Sequence, residues 1–236
     1  MREGSLNEKK VCFITCVSDE PMYAESLKYL QALELPTGME TEYIAVRGAS
    51  SLTSGYQQAM EASDAKYKLY LHQDVFIQYR KAVIKLVHEF QTNLEYGIAG
   101  VAGCVDLPAN GIWWEAQQRA GAVYDEHSGT MKAYRFGGKR NQCTEVMALD
   151  GILLATQYDV DWRMELLTSW HFYDISQCQE FRRRNYKAVV VPQITPWCVH
   201  KCGQEYKSGM DWAKGDYTVA QRIFLEEYRK DIMSQV

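Results

Sequence analysis

The chain has 236 residues, 47% apolar and 24% charged, a composition that excludes collagen, coiled coil and extended disorder and leaves room for one domain with an elaboration. Lys and Arg total 26 against 30 Asp and Glu, a formal charge of −4, so there is no global attraction to phosphate polymers and nucleic acid is not expected as a partner. The polar opening MREGSLNEKK precedes only seven apolar-leaning positions, 11–17. This is neither a signal peptide nor an anchor, and no run reaches the roughly 18 apolar residues that span a bilayer. The expectation is a cytoplasmic protein that meets a membrane only peripherally, at its inner face.

Residues 11–17 are a continuous apolar run with β-branched members, the mark of a buried strand. Asp19 then caps a helix, with Pro21 in its first turn and Tyr23, Leu27, Leu30 and Leu33 on one stripe, until Pro36 and Gly38 end it. A strand follows over 41–46, a helix over 51–62, a third strand over 67–75, a helix through Val83, Leu86, Phe90 and Leu94, and a strand over 97–105. Strands alternating with helices in this way specify βαβ units and a parallel sheet. From 107 to 140 the pattern loosens into an inserted loop region with Trp113, Trp114 and a hairpin turn at His127, Ser128 and Gly129. Strands over 145–156 and 187–193 flank a helix over 172–184. After a polar stretch, a helix over 218–229 carries the stripe Val219, Ile223, Leu225 and Tyr228, a face for docking on the core or on a second subunit of a homodimer.

Seven cysteines, at 12, 16, 104, 143, 178, 198 and 202, are odd in number and sit mostly in apolar segments, as reduced core thiols do. Cys12 with Cys16 and Cys198 with Cys202 are C-x3-C pairs that would allow a zinc site. Strand alternation sends Cys12 and Cys16 to one face, where core packing explains them better.

Open α/β sheets bind ligands at the carboxyl edge of their parallel strands, and three such ends are polar here: Ser18-Asp19-Glu20, Arg47-Gly48 and His72-Gln73-Asp74. Helix capping alone explains Ser18 and Asp19. An imidazole, an amide and a carboxylate inside the apolar run 67–77 cost stability unless each has a partner. A carboxylate there can hold a divalent cation, and the cation a diphosphate.

At these residues the chain resembles the GT-A glycosyltransferases of the family-2 type, most closely their branch related to a streptomycin-biosynthesis glycosyltransferase. The likeness is carried by Cys16-Val17-Ser18-Asp19-Glu20 with residues 23–27, Arg47-Gly48-Ala49, Ser54-Gly55-Tyr56-Gln57, Leu71-His72-Gln73-Asp74-Val75, Trp170-His171-Phe172-Tyr173-Asp174 and Pro196-Trp197-Cys198-Val199-His200. It implies a three-layer α/β/α domain with a mostly parallel central sheet, one domain over 1–236 in which 11–106 bind the nucleotide, 107–200 face the acceptor and 201–236 form a helical tail. It implies a metal-dependent, inverting transfer of a sugar from a nucleotide-diphosphate donor to an unknown glycan or small-molecule acceptor, in bacterial surface-glycan or glycosylated-metabolite synthesis.

Position by position, the last Asp of the family's D-x-D element, which binds Mg2+ or Mn2+, falls on Asp74, and its first acid is replaced by His72. His200 resembles a third metal ligand. The family's general base falls on Asp174; its companion Glu is Tyr173, and a Gly that precedes Tyr186 is Asn185. Cys16, Val17, Ser18, Arg47, Gln57, Gln73 and Asp74 take nucleotide-side positions, Arg47 in place of an acid that contacts the base or ribose. Among the remaining aromatics, Trp113, Trp170 and His171 are candidates for the acceptor, where a ring stacks on a sugar face, against core packing as the plainer role. Without the resemblance, Asp174 reads as a carboxylate stabilising a helix dipole and Arg182-Arg183-Arg184 as a solvated face. Two other readings stand beside this one: a nucleotidyltransferase, although no Gly-rich loop with a basic residue follows the first strand, and a non-catalytic binding or scaffold protein of the same fold, in keeping with His72 and Tyr173 in place of acids.

Overall fold

Alternation along the first strand sets the layers. In β1 (Asn7–Val17), Val11 and Phe13 join one core with Leu30, Val83, Leu86 and Phe90, whereas Cys12 and Ile14 join another with Leu52, Tyr56, Met60, Cys178 and Phe181. The computed structural model describes residues 6–126, 128–201 and 216–233. After β1 come α1 (Glu20–Gln31), β2 (Glu40–Arg47), α2 (Leu52–Ala62), β3 (Ala65–Leu71), β4 (Val75–Ile77), α3 (Ala82–Thr92), β5 (Tyr96–Gly100) and β6 (Ala102–Cys104). A 3-10 turn (Trp113–Glu115) leads to β7 (Arg119–Asp125), β8 (Lys132–Gly137), β9 (Thr144–Val146), β10 (Ala148–Leu149), β11 (Leu153–Thr156), α4 (Tyr173–Arg183), β12 (Lys187–Val190), β13 (Cys198–His200) and α5 (Asp216–Met233). Helices α1 and α3 thus cover one face of the central sheet and α2 and α4 the other, a three-layer α/β/α arrangement.

The central sheet runs β2-β1-β3-β11-β5-β12-β9. Strands β2, β1 and β3 are parallel, β12 is parallel to β5, and β11 lies antiparallel between β3 and β5. A second sheet, β10-β6-β7-β13-β4 with β8 beside β7, stands against it. Local signals hold at the helix ends: the Asp19 carboxylate accepts from the Met22 amide at 3.0 Å, and Ser51 and Ser54 form a capping box. Helix α4 closes with the Tyr186 amide on the Phe181 carbonyl and the Asn185 amide on the Arg182 carbonyl, at 3.1 and 2.9 Å. This is a Schellman closure, and Asn185 at φ 63° supplies its left-handed residue, which is why Asn can stand where the resemblance expects Gly.

Five expectations are corrected. The strand expected over 67–75 ends at Leu71, and β4 resumes at Val75 in the second sheet, so His72, Gln73 and Asp74 form a turn between sheets. The strand expected over 97–105 likewise divides into β5 and β6, and 145–156 divides into β9, β10 and β11 with Asp150 and Gly151 at a turn. Residues 107–140 are no loop insertion, since β7 and β8 pair as an antiparallel hairpin. His127 of the expected turn lies outside the described residues, while Gly129 at φ 78° closes the turn on the Glu126 carbonyl at 2.7 Å. The C-terminal stripe is Ala220, Phe224, Tyr228 and Ile232, with Val219 47% exposed.

The Arg182-Arg183-Arg184 run is more than a solvated face. Arg183 bridges Glu180 on its own helix to Glu227 and Asp231 on α5 and stacks over the Tyr228 ring at 4.5 Å, fastening α5 to α4. Six described cysteines are free thiols, Cys198 of the second C-x3-C pair among them; its companion Cys202 lies outside the described residues. Among the described residues no helix is long and apolar enough to cross a membrane.

Candidate active site

The register of the second sheet gathers the first cluster. Strand β13 pairs antiparallel with β4, aligning His200 with Val75, and parallel with β7, aligning His200 with Asp125. His200 therefore stands between two carboxylates: its Nδ1 is 2.8 Å from Asp125 Oδ2 and its Nε2 is 3.6 Å from Asp74 Oδ1. His72, at the start of the turn that carries Asp74, puts its ring centroid 5.7 Å from that of His200. One ligand atom from each of His72, Asp74 and His200 falls within 4.8 Å of the others, the one such group among the described residues. With Nδ1–H directed to Asp125, the His200 Nε2 lone pair and the Asp74 oxygen face a common point, a donor set that suits a divalent cation. Burial, with the His200 imidazole adding to it and Asp74 opposing, drives His72 down to about 4, so it is neutral and keeps a lone pair at physiological pH.

The second cluster is built at the start of α4. Phe172 at φ 60° occupies the left-handed region, a conformation costing a non-glycine residue about 1–3 kcal/mol, and buries its ring against Tyr217 and Phe224 at 5.2 and 5.3 Å. That bend aims Tyr173 and Asp174 at the turn between β10 and β11. Asp174 accepts from the Ile175 amide at 2.8 Å and from the Gly151 amide at 3.0 Å, while Asp150 in the same turn accepts from the Ile152 amide at 2.9 Å. Burial raises the Asp174 carboxyl to about 7, the Asp150 carboxylate adding to the rise and the two amides opposing it. Gly151 is required here because the Tyr173 hydroxyl lies where a Cβ would sit. That hydroxyl shares a 2.5 Å hydrogen bond with His72 Nε2, joining the two clusters.

The carboxyl edge of the parallel strands completes the surroundings. Val17 and Arg47 are register partners at the ends of β1 and β2. Gln73 accepts from the Ser18 and Asp19 amides at 2.8 and 2.9 Å and donates to Ser18 Oγ at 3.0 Å, tying the turn after β3 to the end of β1. Residues 12–228 match the profile of the Glycosyltransferase like family. The chain belongs to that family. It is a glycosyltransferase of GT-A fold. Among solved structures it is similar to the mannosyltransferase PcManGT from Pyrobaculum calidifontis in complex with GDP-Man and Mn2+, at 11% identity and a TM-score of 0.51 over 96% of this chain and 72% of that one. It is also similar to S. aureus TarS 1-349 in complex with UDP-GlcNAc, at 11% identity and a TM-score of 0.54 over 93% of this chain and 66% of that one. No curated protein matches it significantly.

Within this glycosyltransferase, Cys16, Val17, Ser18, Arg47, Gln73 and Asp74 lie along one edge, and His72 brings Asp74 and His200 into contact with the helix of Asp174. Arg47 makes a two-pronged ion pair with Glu20, its Nη2 2.9 Å from Oε2, with both side chains more than half exposed. Burial lifts the Cys16 thiol to about 12, so it acts as a small apolar group, packed where a Cβ on Gly55 would come within 2.5 Å of its sulfur. Gln57 is not at the nucleotide edge in the expected sense: it is 8% exposed and bound to Glu61, Asp161 and the Trp162 amide, fastening α2 to the loop between β11 and α4. Trp113 is also corrected, since its ring is 5% exposed inside a core and packs edge-on against Phe136, which leaves Trp114, at 49%, as the exposed ring of the pair.

Trp170 is 46% exposed, and His171 is half-buried with its ring 5.2 Å from Tyr217. Tyr217 also meets Phe172 and Trp114, and Asp174 is among the charges acting on its hydroxyl, so an aromatic wall runs from Trp114 toward the second cluster. Sequence reasoning missed Asp125, Asp150, Gly151 and Tyr217. The Asp150-Gly151 dipeptide was a readable turn signal; the others depend on strand register and helix docking.

Proposed function

We propose that this glycosyltransferase is a cation-dependent, inverting enzyme that moves a sugar from a nucleotide-diphosphate donor to an acceptor hydroxyl, with Asp174 as general base. Residues 11–106 hold the donor nucleotide, 107–200 face the acceptor and, of the expected tail, α5 belongs to the same unit, while 202–215 and 234–236 lie outside the described residues. The motif around Leu71-His72-Gln73-Asp74-Val75 supports the streptomycin-biosynthesis-type branch. The observation that carries the reading is the 2.5 Å contact between His72 and Tyr173, which sets a cation-competent cluster and a carboxyl near 7 side by side.

His72, Asp74 and His200 would hold the cation, with Asp125 orienting His200. The cation, when bound, offsets charge on the leaving diphosphate. Gln73, by holding the Ser18 and Asp19 amides, fixes the edge on which the nucleotide lies. The acceptor hydroxyl is placed by the aromatic side of the site, where Trp170, His171 and Trp114 offer ring faces. Asp174 takes its proton as the oxygen attacks the anomeric carbon opposite the departing phosphate. A base whose pKa lies near the operating pH combines a deprotonated fraction with real driving force for that transfer. The PcManGT and TarS complexes, with GDP-Man and Mn2+ and with UDP-GlcNAc, support a nucleotide-sugar donor. The test is incubation of the chain with UDP-, GDP-, CDP- and dTDP-sugars, Mn2+ and mixed acceptors, with proton NMR of the product's anomeric centre. Product of inverted configuration is expected. Retained configuration would overturn the mechanism, and no transfer from a donor the chain binds would favour the scaffold reading.

A further inference from the structure

Charge is spread unevenly along this chain. No acid stands between Glu126 and Glu145, yet Lys132, Arg135, Lys139 and Arg140 all fall there, against a formal charge of −4 for the whole. Among the described residues β8 pairs with β7 alone, so its other edge is free. Tyr134 and Phe136, alternate residues of β8, are partly buried against the cores and stack on each other, which sends Ala133 and Arg135 to the opposite, exposed face. Gly137 and Gly138, at φ 125° and 97°, then carry the chain out of the strand into the exposed Lys139 and Arg140. The acids that flank these cations are engaged elsewhere: Glu145 pairs with Lys187 at 3.5 Å, and Asp125, the register partner of Lys132, holds His200 at 2.8 Å. None of the four cations makes an ion pair among the described residues. Two apolar side chains border them in the open, Met131 at 41% and Ile194 at 89%, and the Ile194 carbonyl accepts from the Arg135 guanidinium at 3.0 Å.

We infer that the free β8 edge of this hairpin, with the loop through Arg140 and Ile194 beside it, is a docking surface for an anionic lipid bilayer. Cations without neighbouring acids attract any polyanion; what selects a bilayer is the exposed isoleucine and methionine among them, since a membrane interface takes apolar side chains below the headgroups while the cations stay at the phosphates. The rest of the surface is net acidic and is repelled by the same lipids, so this face alone is drawn to them and the orientation is fixed. Strand β7 of the hairpin carries Asp125, and docking therefore holds the second sheet and its candidate site beside the bilayer.

The full chain is sedimented with vesicles of phosphatidylcholine alone and of phosphatidylcholine and phosphatidylglycerol in equal parts, at low and high salt, with soluble poly-glutamate as a separate competitor. Wild type is expected to pellet with the mixed vesicles at low salt, to stay in solution with phosphatidylcholine, and to be released by high salt. Lys132→Gln, Arg135→Gln, Lys139→Gln and Arg140→Gln combined are expected to weaken vesicle binding about 10²- to 10³-fold, at roughly fivefold per cation. Should that variant fail to fold, Lys139→Glu with Arg140→Glu, both outside the strand, lowers the charge by the same amount and carries the same expectation. Ile194→Ser is expected to weaken binding about 10-fold without changing its salt dependence, from the apolar area no longer inserted. Nucleotide-dependent melting in Mn2+ is expected to be unchanged in all three, so failure of docking and failure of the proposed function read separately. No pelleting of wild type with mixed vesicles, equal pelleting with both kinds, or full binding by a folded charge variant would overturn the inference. Poly-glutamate bound as tightly as the vesicles, with Ile194→Ser behaving as wild type, would assign the face to an acidic protein and overturn it as well.

Discussion

The turn after β3 and the first turn of α4 are buried to a similar purpose with opposite chemistry. In the first, burial lowers His72 to about 4; in the second, burial raises Asp174 to about 7. Desolvation disfavours the charged form of any group, so it leaves an imidazole with its lone pair available at neutral pH and leaves a carboxyl titrating near neutrality. One region is thereby fitted to ligate and the other to exchange a proton. On the proposed reading, one physical effect, applied to His72 and to Asp174 beside its hydrogen-bond partner Tyr173, would separate cation holding from base chemistry.

The largest way to break this division is at the base. Asp174→Asn keeps the shape and an acceptor for one of the two amides but cannot take a proton, and transfer is expected to fall about 10²- to 10⁴-fold with donor affinity retained. On the other side, Asp74→Ala is expected to abolish Mn2+-dependent nucleotide binding and His200→Ala to weaken it, as measured by calorimetry with and without EDTA. Asp125→Asn, which loosens His200 without removing a ligand, is expected to cost about 10- to 100-fold in Mn2+ affinity.

Two pH experiments sharpen the comparison. Because the folded pKa of Asp174 stands above its ordinary value of 3.8, the stability contributed by its neutral form is complete below that value and is lost as pH rises toward about 7. Asp174→Asn mimics the neutral form, so its melting temperature is expected to exceed wild type above neutral pH and to converge with it in acid. A lower melting temperature at high pH would instead mark the carboxylate as a helix-dipole partner. The smallest effect is at the neighbouring acid: Asp150→Asn removes a charge that raises Asp174, and the rising limb of the pH–rate profile is expected to move to lower pH.

The sheet's first half was legible because its signals are local. Asp19 and Ser51 cap where a polar residue precedes an apolar stripe, and residues 11–17 and 41–46 carry strand composition. Breaks inside apolar runs were not legible. Strands that leave one sheet for another stay buried on both sides, so hydrophobicity continues across His72-Gln73-Asp74, across Val101 and across Asp150-Gly151 while the hydrogen-bonding partner changes. The site divides along the same line. Asp74, His200 and Asp174 were picked out by motif, whereas Asp125 enters only because β13 pairs with β7 in the register that sets it against His200. Gln57 and Trp113 misled because their residue types suit a ligand and only packing shows them turned to other partners.

The central claim, a nucleotide held through a cation beside a separate base, is tested most directly by melting the full chain with UDP, GDP, CDP and dTDP, each with Mn2+ or with EDTA. At a hundred times its dissociation constant a ligand adds about 2.7 kcal/mol, which for a chain of this length corresponds to a rise of roughly 5–10 °C. The account predicts that at least one nucleotide raises the midpoint in Mn2+ and not in EDTA, and that Asp74→Ala abolishes the rise while Asp174→Asn keeps it. A rise of equal size in EDTA, or none with any nucleotide, would contradict it.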